Sequence, residues 1–360
     1  MRVLSLFAMS LGFASTVLAT PYKRFDGISV ELAGPAASVS SVEDLKFTAT
    51  VSNSGSEDVR VLKYGTILDD KLPTRSFKVT KDGEAVPFTG IKLQVSLPDL
   101  DDTAFVTIPA GDKITVVHAV APLFDFAAAG PGKFTFEPNT NFQVIGTEDR
   151  VASPELTKLD ATSSSVEVEV TGDLKKRELV TVDKRAVSTC TNASRKSFID
   201  ASYAEAKTLA STASSYVTSK GANDSLYRAY YGATATSRVA SVFNAVATEG
   251  SNSRTLSCTD TYGACTSGVI AYTLIASTNI YFCSIFFNEV ATSNLCGSTT
   301  VASRNVRGGT TLHELTHAVA GTDDVTYGCS ADQALSDANS YANADNYNCF
   351  STQVYANTRC

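Results

Sequence analysis

The sequence has no tryptophan and only three histidines in 360 residues, so two histidines falling close together would be a specific signal. Cysteine is absent from the whole first half: none precedes Cys190, and eight follow between there and Cys360. After the first twenty positions no apolar run reaches the roughly 18–20 residues that a membrane-crossing helix needs, so a span there is not expected. Positive charge is the minority sign, with 30 Lys and Arg against 37 Asp and Glu. Nucleic acid is therefore not expected as a partner, because phosphate binding requires clustered cations that displace counterions.

What is present is enough to fold. The chain is 43% hydrophobic, which fills real cores and excludes wholesale disorder, and its length suggests about two domains. Residues 1–19 read as a secretory signal peptide: Arg2 is the charged start, Val3 to Val17 is apolar, and Val17-Leu18-Ala19 supplies small residues before a cut. Secretion places the protein in an oxidising compartment. Eight cysteines without any C-x-x-C pair then favour four disulfides over a thiolate metal site.

The two halves differ in pattern. Residues 25 to about 170 carry short alternating runs, including Ile28–Leu32, Lys46–Val51, Val59–Leu62, Phe77–Val79, Thr115–Val120 and Val166–Thr171. Turn clusters such as Ser52–Ser56 and Lys81–Glu84 separate them, so the spacing predicts a small antiparallel β-sandwich. His118 falls inside one strand pattern and reads as structural. Beyond this region, Lys175-Lys176-Arg177 and Lys184-Arg185 sit at the border of the cysteine-rich half. A dibasic pair there suits a kexin-like processing protease. The expected organisation is a signal peptide at 1–19, a propeptide at 20–185 and a mature domain at 186–360, with Glu178 as the other candidate for the mature start.

The mature half opens on helices. Phe198, Ala201, Ala204, Leu209, Ala213 and Val217 recur at helical spacing over 197–220, and 237–246 predicts a shorter helix. Residues 268–276 and 279–287 are rich in β-branched and aromatic residues and predict strands. Residues 330–346 read as a further helix, with Asp332 near its start. The fold class is α+β: a mainly helical catalytic domain with a small sheet, preceded by the β-rich domain.

Two of the three histidines lie in one pentapeptide, His313-Glu314-Leu315-Thr316-His317. Positions i and i+4 share a helix face, so both imidazoles can reach one Zn²⁺, and Glu314 stands beside that metal as a general base. Thr310 and Thr311 are expected to cap the helix after Gly308-Gly309, with Glu314 at a capping-box spacing, and Gly321 ends it. A zinc hydrolase needs a third protein ligand. No further histidine or H-x-x-G-x-x-H extension follows, and no Glu occurs after Glu314. The candidates are Asp323, Asp324, Asp332, Asp337 and Asp345. Asp323 and Asp324 are nearest once the chain reverses after Gly321.

Gly321-Thr322-Asp323-Asp324-Val325-Thr326-Tyr327-Gly328 fits G-T-x-D-x-x-Y-G. Together with His313–His317 it resembles the deuterolysin family of fungal metalloproteases, the aspzincins, as does the order of signal peptide, long propeptide, dibasic junction and cysteine-rich domain. The resemblance implies a zincin-like fold, one Zn²⁺ held by His313, His317 and Asp324, and Tyr327 as the oxyanion donor. It implies disulfides Cys190–Cys258, Cys265–Cys283, Cys296–Cys360 and Cys329–Cys349. It further implies a secreted, monomeric endopeptidase acting on proteins, basic ones such as histones and protamines among them. The mature half has ten Lys and Arg against twelve Asp and Glu, too weak a field to steer basic substrates. Such a preference would need local acids such as Asp323, Asp332 or Asp337. The rival functions are a binding or adhesion protein without turnover, and a protein whose β domain does the work.

Overall fold

A computed structural model describes residues 27–145, 156–175, 190–251 and 253–360. The expected signal peptide and the Lys184-Arg185 junction lie outside these residues.

The first half forms strands because its apolar residues alternate. Ile28, Val30 and Leu32 face inward from the strand Ile28–Ala33, and Phe47, Ala49 and Val51 do so from Lys46–Asn53. Three sheets result. One orders Thr162–Ser163, Ile28–Ala33, Lys46–Asn53 and Lys113–Ala119. A second orders Ser38–Ser41, Val166–Asp173, Gly132–Pro138, Phe77–Lys81 and Glu84–Ala85. The third joins Thr157–Leu159, Phe142–Val144, Val59–Leu62 and Phe105–Ile108. The sequence predicts antiparallel pairing throughout, but two pairs run parallel: Ile28–Ala33 with Thr162–Ser163, and Ser38–Ser41 with Val166–Asp173. One apolar core serves the lobe, and Phe47 packs on Phe136 at 4.5 Å and on Phe77 at 5.5 Å. His118 is a core residue, its Nε2 2.8 Å from the Ile67 carbonyl and its ring edge-on to Phe77.

The second half is mainly helical. Helix Ala193–Lys220 starts at Asn192, whose side chain accepts from the Arg195 N–H, and buries Ile199, Ala206, Leu209, Ala213 and Val217. It packs beside Thr236–Ala247, Arg307–Ala320 and Ala344–Arg359 over a cluster that includes Tyr231, Phe243, Tyr347 and Phe350. All four implied disulfides are present: Cys190–Cys258, Cys265–Cys283, Cys296–Cys360 and Cys329–Cys349. Among the described residues no helix is long and apolar enough to cross a membrane.

Three sequence expectations are corrected. The second strand stops at Phe282, and Ser284–Asn288 is a 3-10 turn that stacks Phe286 on Phe282 at 4.2 Å. The single helix over 330–346 is three pieces, Cys329–Gln333, Asp337–Ala342 and the start of Ala344–Arg359. Asn343 sits at the last break, where its side chain accepts from the Val325 and Thr326 N–H groups and donates to Asp332 and Asn346. Asn343 bounds both flanking helices, and an amide engaged by three partners outside them and by Asn346 favours an interruption there. Finally, the helix carrying His313 begins at Arg307, so Thr310 and Thr311 lie inside it and cap nothing. They donate instead to Glu289 and Ser202. Gly308 and Gly309 are needed there for close approach: a Cβ on Gly309 would lie 2.3 Å from Asn348 Oδ1, and one on Gly308 2.5 Å from Thr292 Oγ1.

The lobes share a sheet. Leu256–Ser257, Asn279–Phe282 and Val269–Leu274 belong to the second half, and its outer strand is Ile91–Val95 of the first. Lys92 pairs with Thr273, Leu93 with Tyr272 and Gln94 with Ala271, antiparallel. Sequence reading missed this strand.

Candidate metal centre

The helix Arg307–Ala320 is buried along its middle, from Gly308 to His317. The 3.6-residue repeat puts His313 and His317 one turn apart on one face, and their rings meet edge to face at 4.7 Å between centroids. Gly321 then takes the left-handed conformation (φ 69°) that ends the helix, and its N–H bonds the His317 carbonyl. The reversal returns the chain so that Asp324 faces both rings. Asp324 Oδ1 lies 3.0 Å from His313 Nε2 and 3.1 Å from His317 Nε2, and the two Nε2 atoms are 3.1 Å apart.

This triangle fits a small dication. Tetrahedral zinc bonds of about 2.0–2.1 Å put neighbouring ligand atoms roughly 3.3 Å apart. Two imidazole nitrogens facing each other and one carboxylate oxygen also have too few protons for three mutual hydrogen bonds. Surrounding groups fix the donors. His317 Nδ1 donates to the Thr322 carbonyl at 2.7 Å, which leaves its Nε2 lone pair free toward the triangle. Thr316 Oγ1 lies 2.7 Å from Thr322 Oγ1 and bonds the His313 carbonyl, pinning the turn to the helix. His313 Nδ1 has no hydrogen bond and faces Asp345 Oδ1 at 3.8 Å.

Burial and charge compete here. Burial alone lowers the His313 ring, but Asp324 and Asp345 outweigh it and raise it to about 9. Burial dominates at His317 and lowers it. Burial also opposes charge on Asp324, yet the two rings hold its carboxyl well below the usual carboxylate range. Glu314 is fully buried one residue past His313 and is pushed up to about 8, mainly by burial. Its Oε2 accepts from Thr273 Oγ1 at 2.6 Å, and its Oε1 has no partner. Tyr327 is buried and donates to the Leu93 carbonyl at 2.9 Å.

Every site residue expected from the sequence is therefore in one place: His313, Glu314, His317, Asp324 and Tyr327. Asp323 is not among them. It points away to Arg75, at 2.9 Å, and to Lys92, at 2.8 Å. Asp345 is buried against Arg304 (2.7 Å), which holds its carboxyl below the usual range despite burial. Asp337 bonds the Ala233 N–H, far along the chain from the triangle. Asp332 lies near Cys329 and Cys349, but those sulfurs are joined in a disulfide and cannot act as thiolates. Thr273, Thr322 and Arg304 were not singled out by sequence, because an isolated Thr or Arg carries no spacing signal.

Comparison with known proteins shows the family. The family model described as "Deuterolysin metalloprotease (M35) family" matches residues 1–359. Penicillolysin of Penicillium citrinum is 30% identical over 99% of this chain and 98% of its own length. A neutral protease 2 homolog of Phaeosphaeria nodorum is 30% identical over 86% of this chain and 88% of its own. A peptidyl-Lys metalloendopeptidase of Armillaria mellea is 27% identical over 90% and 91%. A solved zinc peptidase from Grifola frondosa is 24% identical, with a TM-score of 0.37, and covers 45% of this chain and 96% of that one. The chain belongs to the deuterolysin metalloprotease family and is a metalloendopeptidase.

Proposed function

We propose that one Zn²⁺ is held by His313, His317 and Asp324 and that the protein is a secreted, monomeric endopeptidase. It is made with a signal peptide at 1–19 and a propeptide at 20–185, and a kexin-like protease activates it by cutting after Lys184-Arg185. The observation that carries this reading is the meeting of three ligand atoms within 3.1 Å, with the Glu314 carboxyl on the next helical residue. The ion, when bound, supplies Lewis-acid polarisation of the peptide carbonyl and an acidified water.

The chain's own residues do the remainder. Glu314 takes the proton of the attacking water and passes it to the leaving amine, for which its free Oε1 is placed. Thr273 holds the other oxygen, so the carboxyl keeps one orientation. The Tyr327 hydroxyl donates to the carbonyl oxygen as negative charge develops on it, and burial keeps it protonated. Substrates are proteins and peptides, with basic proteins such as histones and protamines as the preferred class.

Casein incubated with the processed, zinc-loaded protein, with and without a chelator, tests the reading. Cleavage that stops with chelator and returns with zinc is expected. Absence of such cleavage would favour a binding protein without turnover.

A further inference from the structure

The strand Ile91–Val95 lies across the candidate active site. Leu93 is held at both backbone atoms: its N–H donates to Asp324 Oδ2 at 2.8 Å, and its carbonyl accepts from Tyr327 at 2.9 Å. The Val95 carbonyl accepts from Arg304 Nη1 at 3.1 Å. The Leu93 residue thus has its carbonyl at the proposed oxyanion donor and its N–H at the proposed ligand Asp324. A peptide bond awaiting hydrolysis takes that position. The strand runs antiparallel to Val269–Leu274, whose edge it completes, and adding a strand is a common way for a sheet to hold an extended peptide.

Lys92, one residue earlier, shows where a side chain goes. It is only 5% exposed, with its Nζ 2.8 Å from Asp323 Oδ1 and donating to the carbonyls of Thr322 and Gly321. These three oxygens match the three N–H donors of an ammonium group and include no donor of their own. Arg75 donates to both oxygens of Asp323. Both cations come from the N-terminal lobe. When that lobe leaves, the carboxylate and two main-chain carbonyls remain as an acceptor-only cradle on the turn that carries Asp324.

We propose that Ile91–Val95 follows the path of a substrate, and that Asp323 with the Gly321 and Thr322 carbonyls forms a subsite for a Lys or Arg side chain one residue before the attacked carbonyl. The proposal rests on the protease reading above. It makes the strand a tethered blocker of the cleft and Asp323 a specificity residue. Asp323 itself takes no part in the chemistry.

The test uses the full chain, zinc-loaded and cut after Arg185, and three peptides of residues 90–96: the native sequence, Lys92→Ala and Lys92→Glu. With a charge-assisted contact at stake, kcat/KM for the native peptide should exceed that for the Lys92→Ala peptide by about ten- to a hundredfold, and that for the Lys92→Glu peptide by more. Asp323→Asn should bring the ratio close to one, Asp323→Lys should reverse it in favour of the Lys92→Glu peptide, and Asp323→Glu should keep it. Equal rates on all three peptides, or a ratio that Asp323→Asn leaves unchanged, would overturn the subsite. Chelator-sensitive casein cleavage without cleavage of any of the three peptides would overturn the substrate path while leaving the protease reading intact. Loss of all chelator-sensitive cleavage would take both down.

Discussion

Asp324 and Asp323 are adjacent carboxylates with opposite surroundings. Asp324 faces two imidazole nitrogens within 3.1 Å, and Asp323 faces two cations of the other lobe. Their roles differ accordingly. Asp324→Asn removes the charge from the triangle and leaves an amide where an anionic oxygen should meet the metal. Zinc affinity should fall by more than about a hundredfold, because changes even beyond the direct ligands cost ten- to a hundredfold. Competition with a chelator of known affinity checks this, and an unchanged affinity would mean that another carboxylate supplies the ligand. The choice between Asp323 and Asp324 was open in the residues themselves. The resemblance pointed to Asp324, and the turn at Gly321 shows why: it presents alternate side chains to opposite sides.

The helix Arg307–Ala320 was legible at its functional end and misread at its start. The i, i+4 histidines and the terminal Gly321 are local signals. The true start depends on Gly308 and Gly309 fitting against Thr292 and Asn348, contacts distant in sequence. The same holds for Glu289, which follows the 3-10 turn and accepts from Thr310 on that helix at 2.7 Å. Burial pushes its carboxyl up to about 8 from the ordinary 4.5. The folded state therefore binds that proton more tightly than the unfolded chain does. Its contribution to stability is full below about pH 4.5 and is lost as pH rises through about 8. Thermal melts of the full chain from pH 5 to 9 should show Glu289→Gln losing less stability with rising pH than the parent. Parallel slopes would refute the assignment.

The two-lobe organisation follows from composition, since alternating strands give way to amphipathic helices and cysteines. What the sequence hid is the joint between the lobes. Ile-Lys-Leu-Gln-Val alternates as a half-exposed strand does, yet all five residues are buried. Lys92 and Gln94 look solvent-facing until the second lobe covers them. A blocker tethered in the same chain acts at an effective concentration on the order of millimolar, whereas a severed one acts only at the protein's own concentration. The uncut chain should therefore stay inactive at any dilution, and the chain cut after Arg185 should gain casein activity by at least about tenfold as it is diluted. Full activity in the uncut chain would contradict this. Glu314 moves the proton beside a metal it does not hold. Glu314→Gln in the cut chain tests it most directly, with bound zinc and casein hydrolysis measured on one preparation. One zinc per chain and a rate lower by about a hundred- to ten-thousandfold are expected. Near-normal hydrolysis with zinc still bound would contradict it.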